Sequence, residues 1–177
     1  MNSGKTLTAR LRQKLADREN GGTFLFKERI HDFAFSLTIK DFDSLAIAME
    51  AVEISNAAFG RQLTLEELHV RAQSLQNKMR KVVGELDVLE VDSMSLRAQL
   101  RSTMEGGETS SSAYYEVVLS GAGLLTVHRY AYDPAAKARK CVPFSMTIDT
   151  FETFVNDVVH VLEAPVNSNS QMSRSFQ

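Results

Sequence analysis

Between Thr126 and Lys140 the chain sets aromatic and cationic side chains at strand spacing. Thr126, His128, Tyr130 and Tyr132 fall two apart, so in an extended strand all four leave on one face. Leu125, Val127 and Ala131 leave on the other face, together with Arg129. The loop that follows carries Lys137, Arg139 and Lys140. Rings beside cations suit the stacking of bases and the neutralising of phosphates, at roughly 1–3 kcal/mol per stacked base. A smaller basic turn holds Lys27 and Arg29 beside His31, and it could lengthen the same surface. The plainer alternative is that the tyrosines pack at an oligomer interface and the charges are only solvated.

Catalytic chemistry has little footing. His31, His69, His128 and His160 do not fall at metal-ligand spacing. No glycine-rich phosphate loop occurs. Cys141 has no base beside it in sequence and reads as structural. Glu85, Asp87, Glu90 and Asp92 read as an acidic helix face rather than a metal site. Neither an enzyme nor a cofactor is expected.

The chain of 177 residues has room for one sizeable domain or two small units sharing a core, and its 44% apolar content is that of a globular protein. A net charge of −2 makes no case for a nucleic-acid partner, so any basic footprint is local. The single cysteine fits an intracellular, reducing compartment, cytoplasm or nucleus. No apolar run approaches the ~18 residues of a membrane span, and no signal peptide is visible. Lys5 to Lys14, with Arg10 and Arg12 and no acid, echoes an organelle-targeting segment, but a basic surface helix over 6–18 is preferred.

These side chains need elements to place them. Phe35-Ser36-Leu37-Thr38-Ile39 and Phe144-Ser145-Met146-Thr147-Ile148 are near copies. Each reads as a strand that runs into a threonine-capped helix, so the sequence predicts two units of one design, 23–60 and 113–163. The first is a hairpin turned near 28–30 and followed by a helix over 39–59. The second is strands over 114–119, 124–132 and 141–146 followed by a helix over 148–163. Residues 1–22 form a basic N-terminal segment. A polar linker (108–112) and a disordered tail (164–177) complete the plan.

Between the units, Thr64-Leu65-Glu66-Glu67 is a capping box. Beyond it two apolar lines keep a heptad. One passes through Leu65, Ala72, Met79, Leu86 and Leu100, the other through Leu68, Leu75, Val82, Leu89 and Leu96. The spacing predicts a coiled-coil helix over 63–105, weakened by Gly84. Leu68, Leu75, Met79, Val82, Leu86, Leu89 and Leu96 are its oligomerisation residues. Basic residues up to Lys81 precede acids from Glu85 to Asp92, which favours antiparallel pairing in a homodimer or larger oligomer.

Leu125-Thr126-Val127-His128-Arg129-Tyr130-Ala131-Tyr132-Asp133-Pro134, the basic loop and Phe144-Ser145-Met146-Thr147 with its helix together resemble a known family. It is the single-stranded-DNA-binding domain of the positive cofactor four transcription coactivators, related to Whirly proteins. The likeness covers 113–163, with a partial second copy at 23–58. It implies a Whirly-like antiparallel sheet with a C-terminal helix, and dimers that lay single strands across curved sheets. On this resemblance the binding residues are His128, Tyr130, Tyr132, Lys137, Arg139 and Lys140, with Lys27 and Arg29 added by pseudo-symmetry.

The expectation is thus an α+β oligomer of two strand-to-helix units joined by a coiled coil. Its work would be non-catalytic binding of single-stranded nucleic acid, DNA before RNA, in transcription, replication or RNA handling. The alternative is an oligomeric scaffold or protein-interaction module built on the coiled coil. No membrane partner is expected.

Overall fold

The computed structural model describes residues 2–16, 22–103 and 113–163. In chain order the elements are α1 (Ser3–Ala16), β1 (Phe24–Ile30), β2 (Phe33–Phe42), β3 (Ala46–Asn56), α2 (Leu65–Val83), β4 (Leu86–Asp92), β5 (Arg97–Ser102), β6 (Ala113–Ser120), β7 (Leu124–Asp133), β8 (Ala138–Val142), β9 (Phe144–Thr147) and α3 (Ile148–Glu163). Nine strands form one sheet in the order β1-β2-β3-β7-β6-β5-β4. β8 lies beside the end of β7 and β9 beside the start of β3. Every pairing is antiparallel.

Alternation sorts the strands onto two faces. β2 buries Phe33, Phe35, Leu37 and Ile39 and turns Ala34, Ser36 and Thr38 outward. The buried rows of the other strands join it in a single core with Leu7 and Leu11 of α1, Leu68, Leu75 and Met79 of α2, and Phe151, Phe154 and Val158 of α3. All three helices therefore cover the same face. α3 contributes most to this lid: eight of its side chains are buried, each stabilising by roughly 1.5–3 kcal/mol if apolar and fully removed from water. Gly4 lets α1 lie directly on α3, because a Cβ there would collide with the backbone of Glu152.

This fold overturns the expectation of two strand-to-helix units joined by a coiled coil. The helix expected over 39–59 is the second half of β2 and all of β3. The near copies at 35 and 144 diverge at their fifth residue. Ile39 continues a strand, whereas Ile148 opens α3, where the Thr147 hydroxyl accepts from the Thr150 amide at 3.2 Å. The C-terminal strands belong to the common sheet and do not form a unit of their own.

The long helix is the larger correction. α2 starts at the expected capping box: the Glu67 amide donates to Thr64 Oγ1 at 3.2 Å, and the Thr64 amide donates to Glu67 Oε2 at 2.8 Å. It stops after 19 residues at Gly84, which takes φ +77°, a region that favours glycine. Residues 86–102 then form the β4–β5 hairpin. Of the residues assigned to oligomerisation, Leu68, Leu75 and Met79 are buried in the chain's own core and Val82 packs against it. Leu86 lies under α2 as the start of β4, Leu89 is exposed on that strand, and Leu96 sits in the hairpin turn with φ +47°. The antiparallel charge pairs dissolve as well. Lys78 meets Asp157 of its own chain at 3.4 Å, and Arg80 meets Glu85 at 2.6 Å. Arg71 is buried, donates to the Val161 carbonyl and stacks on Phe59 at 5.3 Å. The linker over 108–112 and the tail over 164–177 lie outside the described residues.

The α2 cap gives the fold an acid-sensitive joint. Hydrogen bonds from the Arg61 guanidinium (2.5 and 2.6 Å), and then from the Thr64 amide, hold the Glu67 carboxyl down at about 2. The folded value lies below the ordinary 4.5, so this contribution is complete above that pH and fades as pH falls towards 2. Arg61 is open to solvent, which trims the effect to about 1–2 kcal/mol. Urea midpoints should fall between pH 5 and 2.5 in the wild type. Glu67→Gln should start lower at pH 7 and lose less on acidification. Parallel acid limbs in the two proteins would count against this account.

Candidate nucleic-acid interface

The sheet face opposite the helices carries the side chains that alternation singles out. On β7, Leu125 and Val127 are buried while Thr126, His128, Tyr130 and Tyr132 leave on the side away from the three described helices. Register sets their neighbours, since directly opposed residues in an antiparallel pair share a face. β8 puts Arg139 opposite Tyr132 and Cys141 opposite Tyr130. β6 puts Tyr114 opposite Tyr130 and Glu116 opposite His128.

These residues form a packed polar cluster. The Tyr130 ring lies 5.9 Å from Tyr114 and 6.1 Å from His128. The Arg139 guanidinium covers Tyr130 at 4.5 Å, and that of Arg101 on β5 covers Tyr114 at 4.6 Å, both within cation–π range. Glu116 ties them together. It is 8% exposed, accepts from Arg139 Nη1 at 2.9 Å and from Gln99 Nε2 at 2.8 Å, and lies 3.6 Å from Arg101. Bonds to Tyr114 and Glu116 raise the Arg139 pKa further, and burial followed by the charge of Glu116 pushes the Tyr130 phenol up. Tyr130 is therefore a clamped ring. Tyr132, 41% exposed, is the ring open for stacking.

The expected site residues divide. His128, Tyr130, Tyr132 and Arg139 come together as the alternation requires. Lys137 sits in the β7–β8 turn at φ +50°. Lys140 is opposite Ala131, so it leaves on the helix side of the sheet and does not join the cluster. Lys27 and Arg29 do reach the open face, on edge strand β1, three strands from β7 and so about 14 Å away. Between them and β7 lies a depression of about 500 Å³ floored by Ala34, Ser36 and Ser55. Glu116, Tyr114, Gln99 and Arg101 were not singled out in the sequence. Tyr114 and Glu116 carry a strand alternation that could have revealed them. Arg101 was hidden by its assignment to a helix.

At the far end of this face acids alternate with arginines. Asp87, Glu90 and Asp92 of β4 stand opposite Arg101, Gln99 and Arg97. The β1 edge carries Lys27 and Arg29. Cys141 is exposed, and burial followed by the nearby Glu50 raises its thiol pKa, which disfavours the reactive thiolate. Among the described residues, no group of three or more His, Cys, Asp and Glu is placed to hold a metal ion, and no helix is long and apolar enough to cross a membrane.

No protein-family description, curated protein or solved structure matches the chain.

Proposed function

We propose that the protein is a non-catalytic binder of single-stranded nucleic acid, DNA before RNA, with the strand laid across the open face, away from α1, α2 and α3, from Tyr132 and His128 towards Lys27 and Arg29. The observation that carries this reading is the shared face of Tyr132, Tyr130, His128 and Arg139. An antiparallel sheet with one bare face and aromatic side chains upon it is a common platform for splayed bases. The small floor of Ala34, Ser36 and Ser55 leaves room for a strand to cross, and Lys27 and Arg29 supply cations where it would leave. The resemblance of 113–163 to the coactivator domain supports the same choice. The scaffold alternative loses the coiled coil on which it rested.

Fluorescence anisotropy at low salt tests the reading with labelled mixed-sequence single-stranded DNA, single-stranded RNA and a DNA duplex. Tyr132→Ala should weaken single-strand binding by roughly 1–3 kcal/mol with little change in salt slope, because stacking releases no counterions. Lys27→Gln with Arg29→Gln should lower the slope by ~0.7 for each phosphate no longer neutralised. Lys140→Gln, on the other face, should do neither. Absence of binding to all three probes removes the proposal.

A further inference from the structure

The row of directly opposed residues Lys27–Ser36–Glu53–Thr126 crosses the open face from β1 to β7. It places a carboxylate in the depression that the proposed strand would cross. Glu53 is exposed and lines that depression with Lys27, Arg29, Ser55 and Leu124; its backbone belongs to the β3 ladder, but its carboxylate makes no hydrogen bond or ion pair to another described residue. Contrast Glu116, which is surrounded by donors, and Glu50, which is paired with Lys40 at 3.0 Å. Lys27 is two strands from Glu53, about 10 Å, with only the short Ser36 between them. A carboxylate at this position repels phosphate. Its useful partner on a nucleic acid is a base edge that presents N–H donors.

We infer that Glu53 determines base preference, accepting hydrogen bonds from the Watson–Crick edge of a guanine seated between Arg29 and Leu124. The inference rests on the single-strand-binding reading of the same face. The choice of base follows from donor patterns. Guanine offers two parallel donors, N1–H and the N2 amino group, which match the two oxygens of a carboxylate. Adenine offers its N6 amino group beside the N1 acceptor. Cytosine offers N4 beside the N3 acceptor. Thymine and uracil offer N3–H flanked by two carbonyls that repel a carboxylate. Leu124, 37% exposed, gives the base an apolar wall, and Arg29, whose Nε donates to the His31 carbonyl at 3.3 Å, borders the depression on the other side. Lys27 is then left for the neighbouring phosphate. The small floor matters here, because a larger side chain at Ser36 or Ser55 would fill the space the base needs.

The probe is a labelled 12-nucleotide thymine strand carrying two isolated guanines, compared with the same strand in which inosine, adenine or thymine replaces them. Inosine removes only the N2 donors, so the comparison does not depend on how any protein variant folds. The wild type should bind the guanine strand about tenfold tighter than the others. Glu53→Gln removes a negative charge and should bind the all-thymine strand more tightly than the wild type does, while losing the guanine advantage. Were Glu53 only a repelling charge, the variant would tighten all four strands alike and the ratio between them would persist. Equal wild-type affinity for guanine and inosine strands, or a guanine preference that survives in Glu53→Gln, overturns the inference and leaves single-strand binding in place. No binding to any strand overturns both.

Discussion

Leu86→Asp should destabilise the protein by about 3–5 kcal/mol or more, while Leu89→Asp should leave its melting temperature nearly unchanged. Leu86 is 3% exposed at the start of β4, beneath α2, so aspartate there loses apolar burial and leaves a charge without a partner. Leu89 is 52% exposed on the same strand. In a heptad the two positions lie on the two seam lines of one helix, and a charge at either would break an oligomer. In the hairpin they differ because Leu89 is a bulge. Val88 pairs with Leu100 and Glu90 with Gln99, which leaves Leu89 without a partner in the ladder. Thermal melts with light scattering separate the two descriptions. Equal loss in both variants, or loss of an oligomer in both with the fold kept, would sink the hairpin account.

Gly4→Leu should cost about 2–4 kcal/mol, most of it through separation of α1 from α3. The obstacle to a side chain at Gly4 is the backbone of Glu152, which cannot swing away as a flexible side chain would. Separation would also break the bond from the Gly4 amide to Asn156 Oδ1 at 3.0 Å and uncover Leu7 and Leu11. Gly4→Ala should show the same sign with a smaller loss, and Lys5→Leu, at an exposed position, should change little. Urea melts read the stability, and hydrogen exchange reads whether α1 loses protection first. A Gly4→Leu protein with wild-type stability and α1 protection would refute the close-contact argument.

The strands β6 and β7 and the alternation that carries Tyr130 and Tyr132 were legible in the sequence, whereas the one strand expected over 141–146 is two, β8 beside β7 and β9 beside β3, and Arg139 and Lys140 lie in β8 rather than in a loop. Period two runs unbroken from Leu125 to Val127 and from Phe144 to Met146. The two strand regions misread as helix share one physical cause. In β3 the buried residues run Ile47, Met49, then Val52 and Ile54. The three-residue step arises because Glu50 is an extra residue between Met49 and Ala51, answered by the extra Lys40 in β2. In β4 the bulge at Leu89 sets Val88 and Val91 three apart in the same way. A bulge converts strand spacing into the i, i+3 step of a helix, and helix-compatible residues such as Ala, Met, Glu and Leu complete the imitation. Gly84 marked the true end of α2, but a tolerated glycine looks the same in sequence as a terminating one. The Lys40–Glu50 pair, which joins the two extra residues, becomes recognisable only once the register is known.

The wedge of β8 and β9 between β7 and β3 bears on how the chain comes together in time. β9 closes on the first half of β3, α3 lids the core, and α1 leans on α3 across a sequence gap of 152 residues at the Gly4–Asn156 bond. A chain emerging from the ribosome can pair β1, β2 and β3 early as local hairpins. Those strands then lack the cover that α3 lays on β3 until α3 has been made. Native contacts so distant in sequence bear a large loop-closure cost and slow folding. The last helix therefore acts as the latch of the whole domain, and a chain stopped before it would expose an apolar sheet to its neighbours.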